Sequence, residues 1–336
     1  MTASKRAEFL SLLDKIKDLR ILVAGDIILD RYVWGRVDRI SPEAPVPVVE
    51  VHKIEDRLGG AGNVVGNLVG LGAKVSLCGF VGNDSEGEIV VSQLKSSNVN
   101  CDGIVNDEFR PTALKTRVIA HKQQVVRIDR EDRGAPSETL SVRLASAIDS
   151  GLDSCNAVII SDYGKGTFSS AIMDKLAAAK VAGRISLSKR PLVVDPHPSN
   201  NSLYRGISVV KPNRREAEQA TGIQITDRES AVLAARALVK KWGAEIAVVT
   251  LGEDGMVLFE SGATDALTLE TRALDVFDVS GAGDTVTAVL TASLAAGATL
   301  LQAGELANIA AGIVVAEVGT VAVTHEMLVH ELKANY

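Results

Sequence analysis

Short apolar runs rich in β-branched residues alternate with helical patterns along almost the whole chain, and this alternation constrains its fold more than any other feature. Apolar strands separated by helices predict a mainly parallel sheet covered on both faces, so the predicted fold class is α/β. Ligands of such folds bind beyond the carboxyl ends of the strands. The predicted strands are residues 21–23, 75–80, 157–160, 192–194, 207–210 and 246–250. The predicted helices between them are residues 86–95, 138–149, 169–181, 214–221 and 230–242.

Two groups of segments break this alternation. Residues 31–37 and 46–53 are predicted strands joined by a proline-rich connection, and residues 112–120 and 124–129 alternate as a hairpin does. We expect a small β lid, with strands at about 31–53 and 112–129, inserted in a single domain that spans residues 1–336. Its edge strands need a partner, and a homodimer through the lid would supply one.

The charge balance excludes several classes of partner. Lys and Arg number 36 against 42 Asp and Glu, which gives a net charge of −6 without a long basic block. Nucleic acid and anionic membranes are therefore not expected as partners, and no apolar stretch is long enough to span a bilayer. The three cysteines form no C-x-x-C motif, and the five histidines form no H-x-x-x-H pair, which argues against a zinc site and favours a cytoplasmic protein.

An apolar helix predicted over residues 286–296 directly follows a small-residue turn with the sequence Asp-Val-Ser-Gly-Ala-Gly-Asp-Thr, residues 278–285. A helix N-terminus attracts anions through its free amides and its dipole. A carboxylate in this turn would repel a bound phosphate, so Asp284 is predicted to be a general base that accepts a hydroxyl proton. Gly281, Ala282 and Gly283 would then steady the phosphoryl group in transfer. The alternative is that Asp284 only caps the helix.

A second cluster of small residues covers residues 58–67. It lacks the third glycine of the dinucleotide-binding pattern, and no clear buried strand is predicted directly before it. Asn63 and Asn67 lie one helical turn apart, so both amides are expected to face one polyhydroxylated ligand. The alternative is close packing of these small residues between a helix and the sheet.

Polar loops follow most of the predicted strands. Asp30 follows the first strand and is placed to bind sugar hydroxyls, and Lys165 lies between two glycines as a candidate anion contact. Asn213 and Glu216 lie on one face at the start of a predicted helix, and a glycine-containing loop covers residues 250–255. The chain contains neither a P-loop nor the protein-kinase motifs, so phosphoryl transfer would need a different kind of site.

Together these motifs resemble those of the ribokinase/PfkB carbohydrate-kinase family. Residues 59–63 resemble its first glycine signature and residues 278–285 its highly specific second one, while Asn213-x-x-Glu216 and the 250–255 loop resemble two further motifs. The resemblance extends from about residue 22 to residue 323. It implies a ribokinase-like three-layer fold and ATP-dependent phosphorylation of a sugar, with Mg²⁺ and a monovalent cation such as K⁺ as cofactors.

The resemblance also implies a role for each matching residue. Asp284 would deprotonate the acceptor hydroxyl, and the amides of residues 281–283 would stabilise charge on the γ-phosphoryl group. The residues implied at the sugar are Asp30, Gly60 and Asn63. Those implied at the nucleotide are Asn213, Glu216, Thr250, Gly252, Gly255 and Asn308, the last near the adenine. The implied metal contacts are Glu216 for Mg²⁺ and Asp278 for the monovalent cation.

A closer resemblance within the family is to the bacterial heptose-7-phosphate kinases, on the basis of residues 30–32, 39–48, 115–118, 123–129 and 161–166. These kinases phosphorylate C1 of D-glycero-β-D-manno-heptose 7-phosphate on the route to ADP-heptose for lipopolysaccharide core. A substrate that already carries a phosphate needs a cationic clamp. The candidates for the clamp are Lys115, Arg117, Arg127 and Lys165.

The sequence departs from these kinases at His197, which stands where many of them carry lysine, so the substrate or nucleotide contact at that position stays open. No H-x-G-H motif follows the kinase region, so a stand-alone kinase is expected rather than a fusion to a nucleotidyltransferase. One alternative is a kinase for another sugar or sugar phosphate. Another is a sugar or nucleotide sensor without turnover, against which the intact Asp284 argues.

Overall fold

The computed structural model describes residues 3–121, 123–132, 134–271, 278–317, 319 and 321–334. The strands in chain order are β1 (Arg20–Gly25), β2 (Ile27–Ile40), β3 (Pro47–Gly60), β4 (Lys74–Gly82), β5 (Asn100–Asp107), β6 (Ala113–Ala120), β7 (Gln123–Arg130), β8 (Ala157–Ser161), β9 (Leu192–Asp195), β10 (Val209–Val210), β11 (Ile246–Thr250), β12 (Met256–Glu260) and β13 (Leu267–Leu269). They form two sheets.

The larger sheet has nine strands in the order β13-β12-β11-β10-β9-β8-β1-β4-β5. All pairs from β11 to β5 are parallel, and only β12 and β13 are added in antiparallel orientation. The predicted α/β class and mainly parallel sheet are thus confirmed. Three strands were not predicted: β5 and β13, which are the two edges of the sheet, and β12, which lies next to β13.

Helices cover both faces of this sheet. They are α1 (Ala3–Ile16), α2 (Ala61–Gly70), α3 (Ser85–Ser96), α4 (Glu138–Leu152), α5 (Ser170–Val181), α6 (Arg214–Thr221), α7 (Arg228–Trp242), α8 (Ala282–Ala295), α9 (Leu300–Val315) and α10 (His325–Ala334). Ile21 and Val23 of β1 pack in one apolar cluster with α1, α2 and α8, whereas Leu22 and Ala24 pack in a second cluster with α4 and α5. Because successive strand residues face opposite sides, a strand buried on both faces is apolar at every position.

The smaller sheet, which we call the lid sheet, has four strands in the order β3-β2-β6-β7. The pairs β2–β3 and β6–β7 are antiparallel hairpins, and β2 joins them by pairing with β6 in parallel. Every residue of β7 is exposed. The lid strands are therefore present as predicted, but β2 begins earlier and β3 ends later, since both extend down to the larger sheet.

Two local expectations are wrong. The second small-residue cluster does follow a strand, because β3 ends at Gly60 and α2 begins at Ala61. Its signal was hidden because β3 is only partly buried until its last two residues. In addition, β10 is limited to Val209–Val210, although the amide of Ser208 still donates to Leu192 O of β9. Among the described residues, no helix is long and apolar enough to cross a membrane.

Candidate functional site

The candidate site lies where β1, β8, β9 and β10 end side by side and the N-terminus of α8 faces them. Asp26 follows β1, Tyr163 lies just beyond β8, Asp195 ends β9 and Lys211 follows β10. Parallel strands place their carboxyl ends on one edge of the sheet, so four loops that are distant in sequence meet there. Asp284 in the first turn of α8 is the point on which they converge.

Asp284 is almost fully buried, with an exposed fraction of 4%. Its Oδ1 accepts a hydrogen bond of 2.6 Å from the Tyr163 hydroxyl, and its Oδ2 accepts one of 2.7 Å from Asn63 Nδ2. Burial raises the pKa of Asp284 to about 6, and the nearby Asp195 adds to the rise, whereas Tyr163, Asn63 and Lys211 oppose it. A carboxylate with a pKa of about 6 is mostly ionised at neutral pH and remains a competent proton acceptor.

The small-residue turn at the start of α8, which we call the cradle (Gly281, Ala282 and Gly283), has the geometry of an anion site. Gly281 caps the helix with a φ of 84°, a conformation that favours glycine. The backbone amides in the first turn of a helix have no carbonyl partner within the helix. In α8, the amide of Ala282 donates to Val279 O at 3.3 Å, before the helix begins. The assignment of these residues to the phosphoryl group remains a prediction.

Lys211 supplies a positive charge beside the cradle. A Cβ built on Gly283 would lie 3.7 Å from Lys211 Nζ, and that nitrogen is 3.0 Å from Asp195 Oδ1. Burial by itself lowers the pKa of Lys211, but Asp195 and Glu216 outweigh it and the net pKa is raised. The sequence analysis overlooked this lysine because one charge after a short strand carries no motif.

Two carboxylates, Asp195 and Glu216, lie close enough to affect each other. Burial raises the pKa of Glu216 to about 7, and Asp195 adds to the rise. A divalent cation would relieve this repulsion, and Mg²⁺ is typically held by one or two carboxylates together with substrate phosphates. Asp195 and Glu216 would accordingly hold Mg²⁺ in combination with a phosphate-bearing ligand. Among the described residues, no group of three or more candidate metal ligands is present.

The residues expected at the nucleotide gather beside this pair. Asn213 caps α6, and the Glu216 side chain accepts from the Asn213 amide at 2.8 Å, so the two form a capping box. Thr250 forms a β-bridge with Asn213. Gly252 and Gly255 have φ values of 67° and 83° in the following turn. The roles of these four in binding a nucleotide are not tested by the geometry.

Two other expected contacts lie further along. Asn308 donates to the Glu270 carbonyl at 2.6 Å, beyond the end of β13. Asp278 accepts from the Ser280 amide at 2.8 Å, just before the cradle. Their roles at the adenine and at a monovalent cation remain predictions.

The second small-residue cluster separates into functional and structural positions. Gly60 has a φ of 56°, and a Cβ there would lie 2.5 Å from Asp26 O, so the close approach needs glycine. Asn63 contacts Asp284, as described above. The expectation for Asn67 is wrong: it is fully buried, and its amide bonds to Asn63 O, Thr285 and Val323 rather than facing a ligand.

The four candidate clamp residues come together on one face of the lid sheet and the adjoining loop. In the strand register Asp30 of β2 lies opposite Lys115 of β6, which lies opposite Asp129 of β7. Two residues on, Arg117 lies opposite Arg127, on the same face because side chains alternate. Burial lowers the pKa of Lys115, the charge of Asp30 opposes this, and the charges of Lys165, Arg117 and Arg127 lower the pKa further. We call Lys115, Arg117, Arg127 and Lys165 the cation cluster.

Three members of the cation cluster are already paired. Arg117 Nη1 lies 2.5 Å from Asp30 Oδ1, and Arg127 Nε lies 2.8 Å from Asp129 Oδ1. Lys165 Nζ lies 2.6 Å from Glu131 Oε2. Lys115 has no carboxylate within 4.0 Å in the part of the chain that the structure describes, and its Nζ lies 5.7 Å from the centre of the Tyr163 ring. The cluster thus carries one cation more than its paired carboxylates neutralise. The pairing of Asp30 with Arg117 was not foreseen.

Two buried carboxylates without a predicted role of their own shape the site. Asp26, which is 1% exposed, accepts hydrogen bonds from the backbone amides of Tyr163, Lys165 and Thr167. It therefore holds the loop that carries both the tyrosine and a member of the cation cluster. Asp162, which directly precedes Tyr163, accepts a hydrogen bond of 2.5 Å from the Tyr204 hydroxyl. Burial raises the pKa of Asp162 to about 6.

The chain is similar to known proteins over most of its length. The chain is 47% identical over 315 residues to "Bifunctional protein HldE" of Desulfatibacillum aliphaticivorans, a match that covers 94% of this chain and 63% of that protein. It is 45% identical over 310 residues to the protein of the same name from Pelobacter propionicus, covering 92% and 62%. The chain thus spans less than two thirds of the length of these relatives, and the expectation of a stand-alone kinase gains no support from them.

Solved structures show the same fold. Arabidopsis thaliana ribokinase with ribose and ATP matches with a TM-score of 0.73 and 21% identity, over 94% of this chain and 99% of that one. Phosphofructokinase-2 from Escherichia coli with potassium matches with a TM-score of 0.75 and 20% identity, over 94% and 99%. The fold is therefore ribokinase-like, as expected. Residues 18–327 match the model of the pfkB family carbohydrate kinases, and the chain is a member of that family.

Proposed function

We propose that this carbohydrate kinase transfers the γ-phosphoryl group of ATP to the anomeric C1 hydroxyl of D-glycero-β-D-manno-heptose 7-phosphate. The product would be the 1,7-bisphosphate, an intermediate on the route to ADP-heptose for lipopolysaccharide core. The observation that carries the substrate class is the cation cluster, in which Lys115 has no carboxylate within 4.0 Å among the described residues and lies close to Tyr163 and so to Asp284. The likeness of residues 39–48 and 123–129 to heptose-7-phosphate kinases supports the choice of sugar.

The proton and the phosphoryl group move in opposite directions. Asp284 accepts the proton of the acceptor hydroxyl while the oxygen of that hydroxyl forms a bond to the γ-phosphorus. The bond from the γ-phosphorus to the bridging oxygen of ADP breaks. A carboxylate accepts about four hydrogen bonds, so the bonds from Tyr163 and Asn63 leave room for the acceptor hydroxyl. Asp284 is thereby a base already placed and partly desolvated.

The cradle amides and Lys211 would stabilise the negative charge on the phosphoryl group in transfer, since Lys211 lies beside Gly283. When bound, Mg²⁺ would neutralise phosphate charge, and Asp195 and Glu216 are the residues suited to hold it. Asn213, Thr250, Gly252, Gly255 and Asn308 remain the proposed nucleotide contacts, and Asp278 the proposed contact of a K⁺ ion.

At the other end of the substrate, the 7-phosphate would bind the cation cluster. Lys115 meets the phosphate directly because it has no carboxylate of its own among the described residues, while Arg117, Arg127 and Lys165 strengthen the local positive field. Asp30, Gly60 and Asn63 would contact hydroxyls in between. A cytoplasmic location and a homodimer through the exposed edge strand β7 complete the proposal.

The test is an ATP-consumption assay with D-glycero-D-manno-heptose 7-phosphate, the unphosphorylated heptose, ribose, fructose and fructose 6-phosphate. We expect turnover of the heptose phosphate and a 1,7-bisphosphate product by NMR. Turnover of an unphosphorylated sugar alone would keep the kinase and discard the phosphate clamp. ATP binding without turnover of any sugar would favour a sensor instead.

A further inference from the structure

Tyr163 occupies a position that the proposed reaction leaves without a role. Its hydroxyl donates to Asp284 Oδ1 at 2.6 Å, so it touches the proposed base directly. We propose that Tyr163 is a positioning residue that holds the Asp284 carboxylate ionised and correctly oriented for proton transfer. This inference rests on the proposed function of Asp284 as the base.

The tyrosine is held at three points. Its backbone amide donates to Asp26 Oδ2 at 2.7 Å, its ring lies under Lys115 Nζ, and its hydroxyl ends on Asp284. Asp26 also binds the amides of Lys165 and Thr167, which restrains the whole loop. A hydroxyl fixed in this way directs one carboxylate oxygen, while Asn63 directs the other.

The charges around Asp284 explain why a hydrogen-bond donor to its carboxylate matters. Asp195, at the end of β9, faces it as a like charge, and Lys211, after β10, faces it as an opposite one, while α2 contributes only the neutral Asn63. Burial, the largest effect, favours the protonated form of Asp284, and the Tyr163 hydroxyl counters it. Burial also raises the pKa of Tyr163 well above its usual value, so the phenol keeps its proton and remains a donor.

The experiment compares the wild type with Tyr163→Phe, which removes the hydroxyl and keeps the ring. We expect the acid limb of kcat/KM to move up by about one pH unit, which corresponds to about a fivefold loss at pH 6 and almost none at pH 8. A loss of equal size at both pH values, or an unmoved acid limb, would overturn the proposal, because a merely structural role would act at every pH.

A matched control is Tyr204→Phe, which removes a tyrosine–aspartate hydrogen bond of the same kind, to Asp162 rather than to Asp284. The acid limb should stay where it is in this variant. If it moves as far as in Tyr163→Phe, the effect is not specific to the bond with Asp284.

Two measurements keep the inference separate from the proposed function. The carboxyl ¹³C resonance of Asp284, assigned with Asp284→Asn, reports its pKa in the ligand-free protein even if no sugar is turned over. It should titrate at higher pH in Tyr163→Phe, and an unchanged midpoint would refute the inference. Should that variant fail to fold, 3,5-difluorotyrosine at position 163 keeps the shape and strengthens the donor, so the Asp284 midpoint should then fall rather than rise.

Discussion

The two ends of the candidate site are built from different secondary structures and carry opposite charge. At the catalytic end, Asp284, Asp195 and Glu216 are carboxylates brought together by loops at the ends of parallel strands and by helix N-termini. At the lid end, Lys115 and Arg117 share one face of a single strand, and strand alternation alone aligns them. The first end depends on burial and distant loops for its chemistry, and the second depends on the register of one small sheet.

This difference predicts that the chain separates chemistry from recognition. Burial tunes the proton affinity of the carboxylates, raising the pKa of Asp284 to about 6 and that of Glu216 to about 7. The arginines of the lid end stay charged at any working pH and need no such tuning. Changes at the catalytic end are therefore expected to alter kcat, and changes at the lid end to alter the KM of the sugar phosphate.

The largest effect is expected at the base. Asp284→Asn removes the proton acceptor and should lower kcat by about 10²–10⁴-fold, the usual contribution of a general base, while ATP binding by calorimetry stays close to that of the wild type. Asp162→Asn is a control, since it changes another buried carboxyl nearby. A near-normal kcat in Asp284→Asn would remove this residue from the chemistry.

The next effect is expected at the lid end. Lys115→Met keeps most of the aliphatic stem and removes the charge, so the KM for heptose 7-phosphate should rise by about 10–100-fold, with little change in the KM for ATP. Arg36→Gln is the matched control, because Arg36 is an exposed cation on β2 whose nearest carboxylate, that of Glu50, is 4.0 Å away. Equal changes in both KM values for Lys115→Met would contradict the division between the two ends.

A smaller and continuous effect is the pH dependence of the wild type. Because Asp284 must be ionised to act as a base and its pKa is about 6, kcat/KM should fall about tenfold per unit as the pH drops below 6. The measurement is a pH–rate profile at constant ionic strength. An acid limb near pH 4 would indicate an ordinary exposed carboxylate and would argue against Asp284.

The smallest effect concerns stability. The folded-state pKa of Asp284 lies above its unfolded value of 3.8, so the folded state binds more protons between pH 3.8 and 6, and stability falls as the pH rises through this window. Asp284→Asn should therefore be more stable than the wild type at pH 8, by about 1 kcal/mol after weakened hydrogen bonds are deducted, with no gain below pH 4. Urea unfolding at both pH values tests this, with the exposed Asp38→Asn as control. A gain of the same size at pH 4 would refute the explanation.

Several elements of the fold follow from local pattern. The predicted helix over residues 214–221 matches α6 at both ends, because Asn213 and Glu216 form a capping box at its start and Gly222 takes a left-handed conformation at its end. The edge strands β5 and β13 were missed, since a half-exposed edge lacks the continuous apolar run of a buried central strand. Local sequence signals are therefore strong where a buried helix or strand begins and ends, and weak in the edge strands of the sheet.

Local sequence patterns predict the α/β class, the small-residue turn with Asp284 and the lid strands, because helix caps, apolar runs and glycine turns act over a few neighbouring residues. The tertiary structure, by contrast, brings Tyr163 and Asn63 onto Asp284, pairs Lys211 with Asp195 and gives Asn67 a structural role. It also decided that three of the clamp cations are paired and Lys115 is not, among the described residues. The two hydrogen bonds to Asp284 join residues that are 121 and 221 positions apart in the sequence, and they form only when the strand ends meet, which no local pattern encodes.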